Sequence, residues 1–222
     1  MPRKLPPVSA DPIDVAPLSD SLRALARRGT SRRLRKGVQI ITEGDRGDTL
    51  YIVLSGALRA YSIGDDDREI TYGAYGSGEY VGEMGLDGGL RSASVVTEQP
   101  TLCVVVTRLT LEQHLRDDPA FAFELLSKVI WRARAATRGL RQIALNNVYG
   151  RLKALLQGLA VPQAEPPGGW LIDPAPSHLE LSRLLGCGRE MVSRVLKELE
   201  HAGVVVVGTR RLVIKKPFPG KW

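Results

Sequence analysis

The pattern of apolar and polar positions divides the chain into three stretches. Between residues 31 and 106, short apolar runs rich in β-branched and aromatic residues alternate with glycine-containing turns, which is typical of antiparallel hairpins. From about residue 109 to residue 146 apolar side chains recur at spacings of three and four, and this predicts helices. Beyond residue 147 the helical stretches become shorter. The predicted strands are residues 38–42, 49–54, 58–63, 69–72, 94–96 and 102–106.

These stretches predict an α+β chain in four parts. Residues 1–18 are rich in proline and have no sustained period, so we expect a flexible N-terminal arm. Residues 19–117 should open with a short helix and then form an antiparallel β-roll. Residues 118–146 should form one long helix, and residues 147–222 should form a second, smaller domain.

The long helix carries an apolar stripe. A stripe of this length that contains small alanines suits a partner helix, so residues 118–146 are a candidate dimerisation helix. The stripe can equally pack on the chain's own β-roll, and one face can serve each purpose. Its members are Phe121, Leu125, Val129, Ala133, Ala136, Leu140, Ile143 and Ala144.

Residues 178–203 predict two short helices that are separated at Gly186. Ser177 can cap the first helix, and Gly186 stands where a tight turn requires a positive φ. Leucines and valines give each helix one apolar face. This pattern is that of a helix-turn-helix, in which the second helix enters the major groove of DNA.

The helix-turn-helix has a predicted loop before it and a predicted hairpin after it. Residues 161–170 interrupt all periodicity and predict a loop inside the second domain. Residues 204–207 and 211–214 flank Gly208 and Thr209, a pattern typical of the hairpin called a wing.

The second helix would present polar side chains that suit base recognition. Arg189 can donate two hydrogen bonds to guanine, Glu190 can accept one from cytosine, and Arg194 lies one turn later. The alternative is a surface helix held by local pairs of Glu with Arg or Lys. The candidate DNA-binding residues are Arg189, Glu190, Ser193, Arg194, Lys197 and Arg210, and further candidates for phosphate contacts are Arg211, Lys215 and Lys216.

The charge distribution favours a polyanionic partner for the C-terminal part. The chain carries a formal charge of +7 and has a sequence pI of about 9.6. From Val148 onward, 11 lysines and arginines stand against 6 acidic residues, whereas the first 147 residues hold 20 against 18. A basic domain can also be ordinary solubilising surface, so charge alone does not name the partner.

Other kinds of site are not indicated. Cys103 and Cys187 lack a Cys or His partner at metal-ligand spacing, so we expect two ordinary thiols in a reducing cytosol and no metal. His114, His178 and His201 are scattered and are expected to be surface or packing residues. Without a leader or a long apolar run, a cytoplasmic protein without membrane contact is expected. No arrangement of catalytic side chains stands out, so we expect no enzymatic activity.

The segment GCGREMVSRVLKELEHAGVV, residues 186–205, resembles the recognition segment of the cyclic-AMP receptor protein and fumarate-nitrate regulator (CRP/FNR) family of bacterial transcription factors. The similarity covers about residues 38–215. It implies a β-roll of double-stranded jelly-roll type, a dimerisation helix and a winged helix-turn-helix, in a homodimer that binds palindromic DNA and contacts RNA polymerase. In the family's cyclic-AMP receptors, the positions of Arg189, Glu190 and Arg194 read a TGTGA-type half-site.

Residues 78–95, GEYVGEMGLDGGLRSASV, form a glycine-rich segment whose backbone N–H groups could approach an anion. From the residues alone, a glycine-rich corner with an incidental arginine is the simpler interpretation. The family resemblance instead implies the phosphate-binding cassette of a cyclic-nucleotide-binding domain. By this likeness Glu83 accepts from the ribose 2′-hydroxyl, and Arg91 and Ser92 hold the cyclic phosphate. The matching residues are Gly82, Glu83, Met84, Gly85, Leu86, Arg91, Ser92 and Ala93.

The base-binding position departs from the family pattern. Cyclic-AMP receptors carry a Thr-Ser pair on the long helix, and this chain has Ala136 and Thr137 there. One hydroxyl is kept, so Thr137 is the candidate base contact and cyclic AMP the first expectation for the effector. The alternatives are cyclic di-GMP, activity without a ligand, or a nucleotide-binding module that acts on a protein partner. No iron-sulfur cluster is expected, because the N-terminal cysteine cluster of oxygen-sensing relatives is missing.

Overall fold

The computed structural model describes residues 11–162 and 169–220, except for the side chains of residues 142–145. Its described residues separate into two units. The first comprises residues 11–62 and 72–133, and the second comprises residues 63–71 and 134–220.

The eight N-terminal strands form two antiparallel sheets of four strands each. In β4 every second residue from Leu58 is buried, as expected of a strand that places one face on a core. The strands are β1 Thr30–Leu34, β2 Gln39–Ile41, β3 Thr49–Ser55, β4 Leu58–Ile63, β5 Glu69–Tyr75, β6 Tyr80–Val81, β7 Ser94–Thr97 and β8 Thr101–Thr107. One sheet has the order β1-β8-β3-β6 and the other β2-β7-β4-β5.

The N-terminal segment packs on the roll, so the predicted flexible arm is wrong for residues 11–18. Helix α1 spans Pro12–Val15, helix α2 spans Asp20–Ala26, and Ala16 and Leu18 between them are buried. Arg23 donates to the carbonyls of Ala16 and Leu18 at 3.1 and 3.2 Å. The arginine therefore satisfies backbone groups of a proline-rich segment. Residues 1–10 lie outside the described residues.

Two helices follow the roll, α3 Arg108–Asp117 and α4 Ala120–Leu145. The predicted apolar stripe on α4 is buried at its start and exposed further along the helix. Phe121 is fully buried and Leu125 packs against the same cluster, so the start of the stripe serves the chain's own roll. Val129 and Leu140 are exposed. Ile143 and Ala144 have side chains outside the described part.

The second unit places three helices against a four-stranded antiparallel sheet of order β11-β12-β10-β9. Its core contains Leu152, Leu156, Leu181, Val192 and Leu199, all fully or almost fully buried. The elements are α5 Val148–Leu159, β9 Val161–Pro162, β10 Trp170–Ile172, α6 His178–Leu185, α7 Arg189–His201, β11 Val205–Gly208 and β12 Arg211–Ile214.

The predicted loop at residues 161–170 is wrong at both ends. Leu171 pairs with Val161 and Trp170 with Pro162, so the segment begins and ends in short strands. Strands of two and three residues are too short to show a hydrophobic period, which is why the sequence pattern missed them. Residues 163–168 of this predicted loop lie outside the described part of the chain.

The predicted fold class is confirmed. The chain is α+β, with two antiparallel N-terminal sheets, one long helix and a C-terminal helix-turn-helix that a hairpin follows. None of the helices within the described ranges combines the length and the apolar character that a membrane crossing requires.

Candidate functional site

The glycine-rich segment forms a tight turn between β6 and β7. A short 3-10 helix, Glu83–Gly85, follows Gly82 directly, and the amide of Leu86 closes it on the carbonyl of Glu83 at 3.1 Å. Further along, the amide of Arg91 donates to the carbonyl of Asp45 at 2.8 Å. The cassette is thus tied to the loop before β3, and this fixes where the Arg91 side chain enters the roll.

Arg91 is 7% exposed, and its guanidinium points into the roll. It donates to the carbonyl of Gly82 at 2.8 Å and to both the carbonyl and the hydroxyl of Thr49 at 3.0 Å. Gly47 leaves the space for this group, because a Cβ at that position would lie 2.4 Å from the Arg91 Nε. The structure therefore holds the cation on protein oxygens and against a glycine backbone.

Glu83 is equally buried and forms an ion pair with Arg132 of α4. The guanidinium of Arg132 also lies 4.8 Å from the ring centroid of Tyr75 and donates to the carbonyl of Tyr80. Burial raises the pKa of both tyrosines, and the nearby guanidinium opposes this. The second carboxylate oxygen of Glu83, Oε2, is buried without a hydrogen-bond partner in the described part of the chain.

Arg132 and Thr49 are site residues that the sequence interpretation missed. For Arg132 a signal existed. It follows Phe121, Leu125 and Lys128 at spacings of four, three and four, so it continues the buried face of α4. A charged residue on a buried face requires a partner. Lys128 meets the same requirement by pairing with Glu79 at 2.8 Å.

The other predicted cassette residues differ in burial. Gly85 packs beside Arg91, with 3.2 Å between the position of an added Cβ and the arginine Nη1. Met84 and Ser92 are exposed, and Ala93 packs at the edge of the smaller core cluster. The structure thus brings Gly82, Glu83, Gly85 and Arg91 together inside the roll. Thr137 and Ala136 are exposed positions of α4 in the second unit.

The helix-turn-helix begins with a complete capping box. The Ser177 hydroxyl accepts from the Glu180 amide at 3.2 Å, and the Glu180 carboxylate accepts from the Ser177 amide at 2.6 Å. The hydrogen bond from the backbone of Ser177 lowers the pKa of Glu180. Gly186 ends α6 at a φ of 60°, the left-handed conformation that the sequence predicted there.

Helix α7 buries its apolar face and exposes its charged one. Val192 and Leu199 are fully buried, whereas the predicted DNA-reading residues Arg189, Glu190 and Arg194 are exposed. Lys197 is exposed on the same side. In the described part of the chain, these four residues form no ion pair. This observation counts against a surface helix held by local charge pairs.

Ser193 and Arg210 complete the predicted set. Ser193 is half-buried on α7, with its hydroxyl 2.8 Å from the Nδ1 of His178. Arg210 is exposed at the tip of the β11–β12 hairpin with a φ of 52°. The predicted position of the turn is corrected by one residue, because Gly208 pairs with Arg211 and the turn consists of Thr209 and Arg210.

The remaining histidines and cysteines occupy packing or surface positions. His114 is fully buried and packs edge-on against Phe121, with 5.2 Å between ring centroids. Burial raises the pKa of the Cys103 thiol to about 11 and also raises that of Cys187. Over residues 11–162 and 169–220, no group of three or more His, Cys, Asp and Glu side chains is placed to hold a metal ion.

Two family models match the chain, each over one of the predicted domains. The model of the cyclic nucleotide-binding domain matches residues 31–118. The model of the Crp-like helix-turn-helix domain matches residues 150–217.

Individual relatives match over most of the chain. The CRP-like protein Clp of Xanthomonas euvesicatoria is 34% identical over 197 residues, which cover 81% of this chain and 84% of the relative. The solved structure of the c-di-GMP-responsive global regulator CLP of Xanthomonas campestris is 29% identical with a TM-score of 0.76, over 89% of this chain and 99% of that one. The catabolite activator protein of Thermus thermophilus is 30% identical with a TM-score of 0.53, over 92% and 93%.

Proposed function

This chain belongs to the CRP/FNR family of DNA-binding transcription regulators, and we propose that it is a homodimer that a cyclic nucleotide controls. Its two matched domains supply a cyclic-nucleotide-binding fold and a helix-turn-helix. The observation that carries the DNA-reading part is the exposed charged face of α7, where Arg189, Glu190 and Arg194 have no ion-pair partner in the described residues.

The proposed DNA site is a palindrome of TGTGA-like half-sites. Arg189 would donate to guanine O6 and N7, Glu190 would accept from cytosine N4, and Arg194 would contact the next bases along the groove. Ser193 lies on the same face, one turn after Arg189 and one turn before Lys197. We call the side of α7 that carries Arg189, Glu190 and Arg194 the reading face. Lys197 and Arg210 would bind phosphates, because both are exposed cations beside this face. We propose no enzymatic activity for this arrangement.

The proposed ligand site is the cassette. Among the described residues the buried Oε2 of Glu83 has no hydrogen-bond partner, and a ribose hydroxyl is a donor that would satisfy it. The phosphate would meet Arg91, Ser92 and the surrounding backbone, after the Arg91 guanidinium exchanges its contacts to Thr49 for the anion. The remaining proposed contacts are Gly82, Met84, Gly85 and Ala93, with Thr137 as the candidate contact to the base.

Two effectors are candidates. Cyclic AMP is supported by Thr137, which keeps one of the two hydroxyl groups expected at the base-binding position. Cyclic di-GMP is supported by the similarity to the c-di-GMP-responsive CLP of Xanthomonas campestris. In either case, the effector changes the affinity for DNA only if it binds the DNA-binding state and the inactive state of the protein with different affinities. The change in DNA affinity cannot exceed that difference.

The proposed dimer uses the outer face of α4. Exposed apolar residues recur along this helix at heptad spacing, and Phe123 and Leu140 are 75% and 68% exposed. The full seam consists of Phe123, Leu126, Ile130, Ala133, Thr137 and Leu140. We further propose a cytoplasmic location, with RNA polymerase as a partner at promoters.

Binding of a labelled palindromic TGTGA duplex, measured by fluorescence anisotropy, tests the function. A shuffled duplex is the control, and each is titrated without effector, with cyclic AMP, with cyclic GMP and with cyclic di-GMP. Tighter binding with cyclic AMP supports the first candidate, and a change in affinity with cyclic di-GMP, in either direction, supports the second. Equal binding in all four conditions contradicts nucleotide control, and equal affinity for both duplexes contradicts the proposed site.

Ser92→Ala should weaken the effector response, because Ser92 is an exposed cassette residue whose hydroxyl is proposed to contact the phosphate.

Sedimentation of two matched variants tests the dimer. Ile130→Glu places a charge on the seam and should yield monomers, because the carboxylate would be buried between the two helices. Trp131→Glu alters a neighbouring exposed residue that lies off the seam, and it should leave the dimer intact. A dimeric Ile130→Glu protein would contradict the proposed interface.

A further inference from the structure

Ser193 occupies an unusual position on α7. It lies one helical turn after Arg189 and one turn before Lys197, so it belongs to the face proposed to read DNA. Unlike those two side chains it is half-buried, and its hydroxyl lies 2.8 Å from the Nδ1 of His178. His178 is the first residue of α6. A side chain of the first helix of the motif is therefore within hydrogen-bonding distance of one polar group on the reading face of the second.

The direction of this hydrogen bond depends on the proton of the imidazole. When His178 is neutral with its proton on Nε2, Nδ1 can only accept, so the Ser193 hydroxyl donates to it. The oxygen then offers only lone pairs to a ligand. When His178 is a cation, Nδ1 carries a proton and donates to the Ser193 oxygen. The hydroxyl proton of Ser193 is then free to point elsewhere.

The two states prefer different partners in the major groove. A hydroxyl that only accepts suits the amino group of cytosine, whereas one that donates suits guanine O6 and N7 or thymine O4. Adenine presents both a donor and an acceptor, so it does not distinguish the two states. We propose that His178 sets whether Ser193 accepts or donates a hydrogen bond on DNA, so that protonation of His178 changes the base preferred at one position of the site. This inference rests on the proposed role of α7 in reading base edges.

Several charged groups surround the pair. Glu180, in the same turn of α6 as His178, is held by the amide of Ser177, and Arg210 of the wing is close enough to act on its carboxylate. On α5, Arg151 acts on Cys187 and thus lies toward the far end of α6. The segment before α6 carries Asp173. The charged residues of α7 within about one turn of Ser193 are Arg189, Glu190, Arg194 and Lys197.

Selection from a pool of randomised duplexes, carried out at about pH 6 and at about pH 8, tests the inference over the range in which histidine side chains in general change charge. At the position that Ser193 contacts, guanine or thymine should gain over cytosine at the lower pH. The expected change in the ratio is about fivefold, the size of one neutral hydrogen bond. The duplex pool makes the result independent of the proposed TGTGA sequence.

Three variants identify the residues responsible. His178→Asn keeps a polar group near Nδ1 but does not titrate, so the base preference should no longer change with pH. Ser193→Ala removes the hydroxyl, so the preference at that position should weaken at both pH values. His201→Asn is the control, because His201 is an exposed histidine at the end of α7 and its loss should preserve the pH effect.

The outcomes separate the inference from the proposed function. Enrichment of the same sequences at both pH values would overturn the role of His178 while leaving DNA reading by α7 intact. A gain in affinity at low pH that is equal for all sequences would also overturn it, since added charge alone explains such a gain. Absence of any enriched sequence would contradict the proposed reading of bases itself. A pH effect that persists in Ser193→Ala would assign it to another group.

Discussion

Arg91 in the cassette and Arg189 on the recognition helix are both proposed to donate hydrogen bonds to a nucleotide or to DNA, and their surroundings differ. Arg91 is buried and donates to three protein oxygens. Arg189 is exposed, and in the described part of the chain it has no ion-pair partner. A ligand of the cassette must therefore replace existing contacts, whereas DNA meets an exposed arginine that forms no ion pair with the described residues.

This difference separates stability from recognition. In the cassette, the residues that would hold the nucleotide also hold the roll together, so substitutions there should change the free energy of unfolding. On α7, the apolar face stabilises the helix and the charged face is left for binding. Substitutions of its charged residues should change affinity for DNA and leave the fold intact. Four predictions test this division, from the largest expected effect to the smallest.

The largest effect should follow from separating Glu83 and Arg132. Arg132→Met leaves a buried carboxylate without its cation, which should cost about 3 to 5 kcal/mol in the free energy of unfolding. Denaturant unfolding followed by circular dichroism measures this cost. The double variant with Glu83→Gln should recover most of the loss, because no uncompensated charge remains. If the double variant is as unstable as the single one, the pair does not act through its charges.

Arg91→Ala should destabilise the first unit by about 3 kcal/mol, because the carbonyls of Gly82 and Thr49 lose a charged donor. The matched control is Arg46→Ala, an exposed arginine on the neighbouring loop, which should cost less than about 0.5 kcal/mol. Thermal and denaturant unfolding of both variants provide the comparison. An Arg91→Ala protein as stable as the control would contradict a structural role for this guanidinium.

Arg189→Ala should cost about 1 to 3 kcal/mol in binding to the preferred half-site and relax the base preference there, with no change in unfolding. Arg211→Ala removes an exposed cation of the wing and should weaken binding to all duplexes equally. Anisotropy titrations on matched and mismatched duplexes distinguish the two effects. An equal loss on every duplex for Arg189→Ala would assign this residue to phosphate contact.

The smallest effect concerns the capping box. Because the Ser177 backbone lowers the pKa of Glu180, this carboxylate adds stability above the pKa of an unfolded glutamate, about 4.3, and the contribution is lost as the pH falls through the folded pKa. Screening at this exposed position limits it to about 0.5 kcal/mol. Unfolding of Glu180→Gln should lack this pH-dependent part, whereas Glu190→Gln should keep it. Identical pH profiles for wild type and Glu180→Gln would exclude the effect.

Much of the fold could be predicted from the sequence, because most elements combine a clear hydrophobic period with turn or cap residues. Ser177 and Gly186 mark the two ends of α6, and β4 alternates from Leu58 onward. Strand β1, Thr30–Leu34, was not predicted, because it is largely exposed and its two arginines hide any alternation. The packing of Ala16 and Leu18 could not be predicted either, because it depends on Arg23 and on the core of the roll.

The two candidate sites were predictable to different degrees, because one lies on a single helix and the other combines distant segments. The charged residues of α7 follow largely from helix geometry, since a helix that buries Val192 and Leu199 turns Glu190 and Arg194 to the opposite side. The cassette required the family resemblance, because its residues come together only through contacts between distant segments. Thr49 lies 42 residues before Arg91, and nothing in their sequence spacing indicates the hydrogen bonds between them.

Gly47 and Arg91 form a pair that natural variation should change together. A side chain at position 47 would require the Arg91 guanidinium to leave its present hydrogen bonds, so glycine is favoured there for as long as the arginine keeps these contacts. Once a relative has replaced the arginine with a shorter residue, position 47 is free to vary. We therefore expect these two positions to covary, and glycine at position 47 to mark relatives that retain the buried arginine. Loss of this glycine in a related sequence would indicate that the arginine has changed its contacts, even where the recognition helix is unchanged.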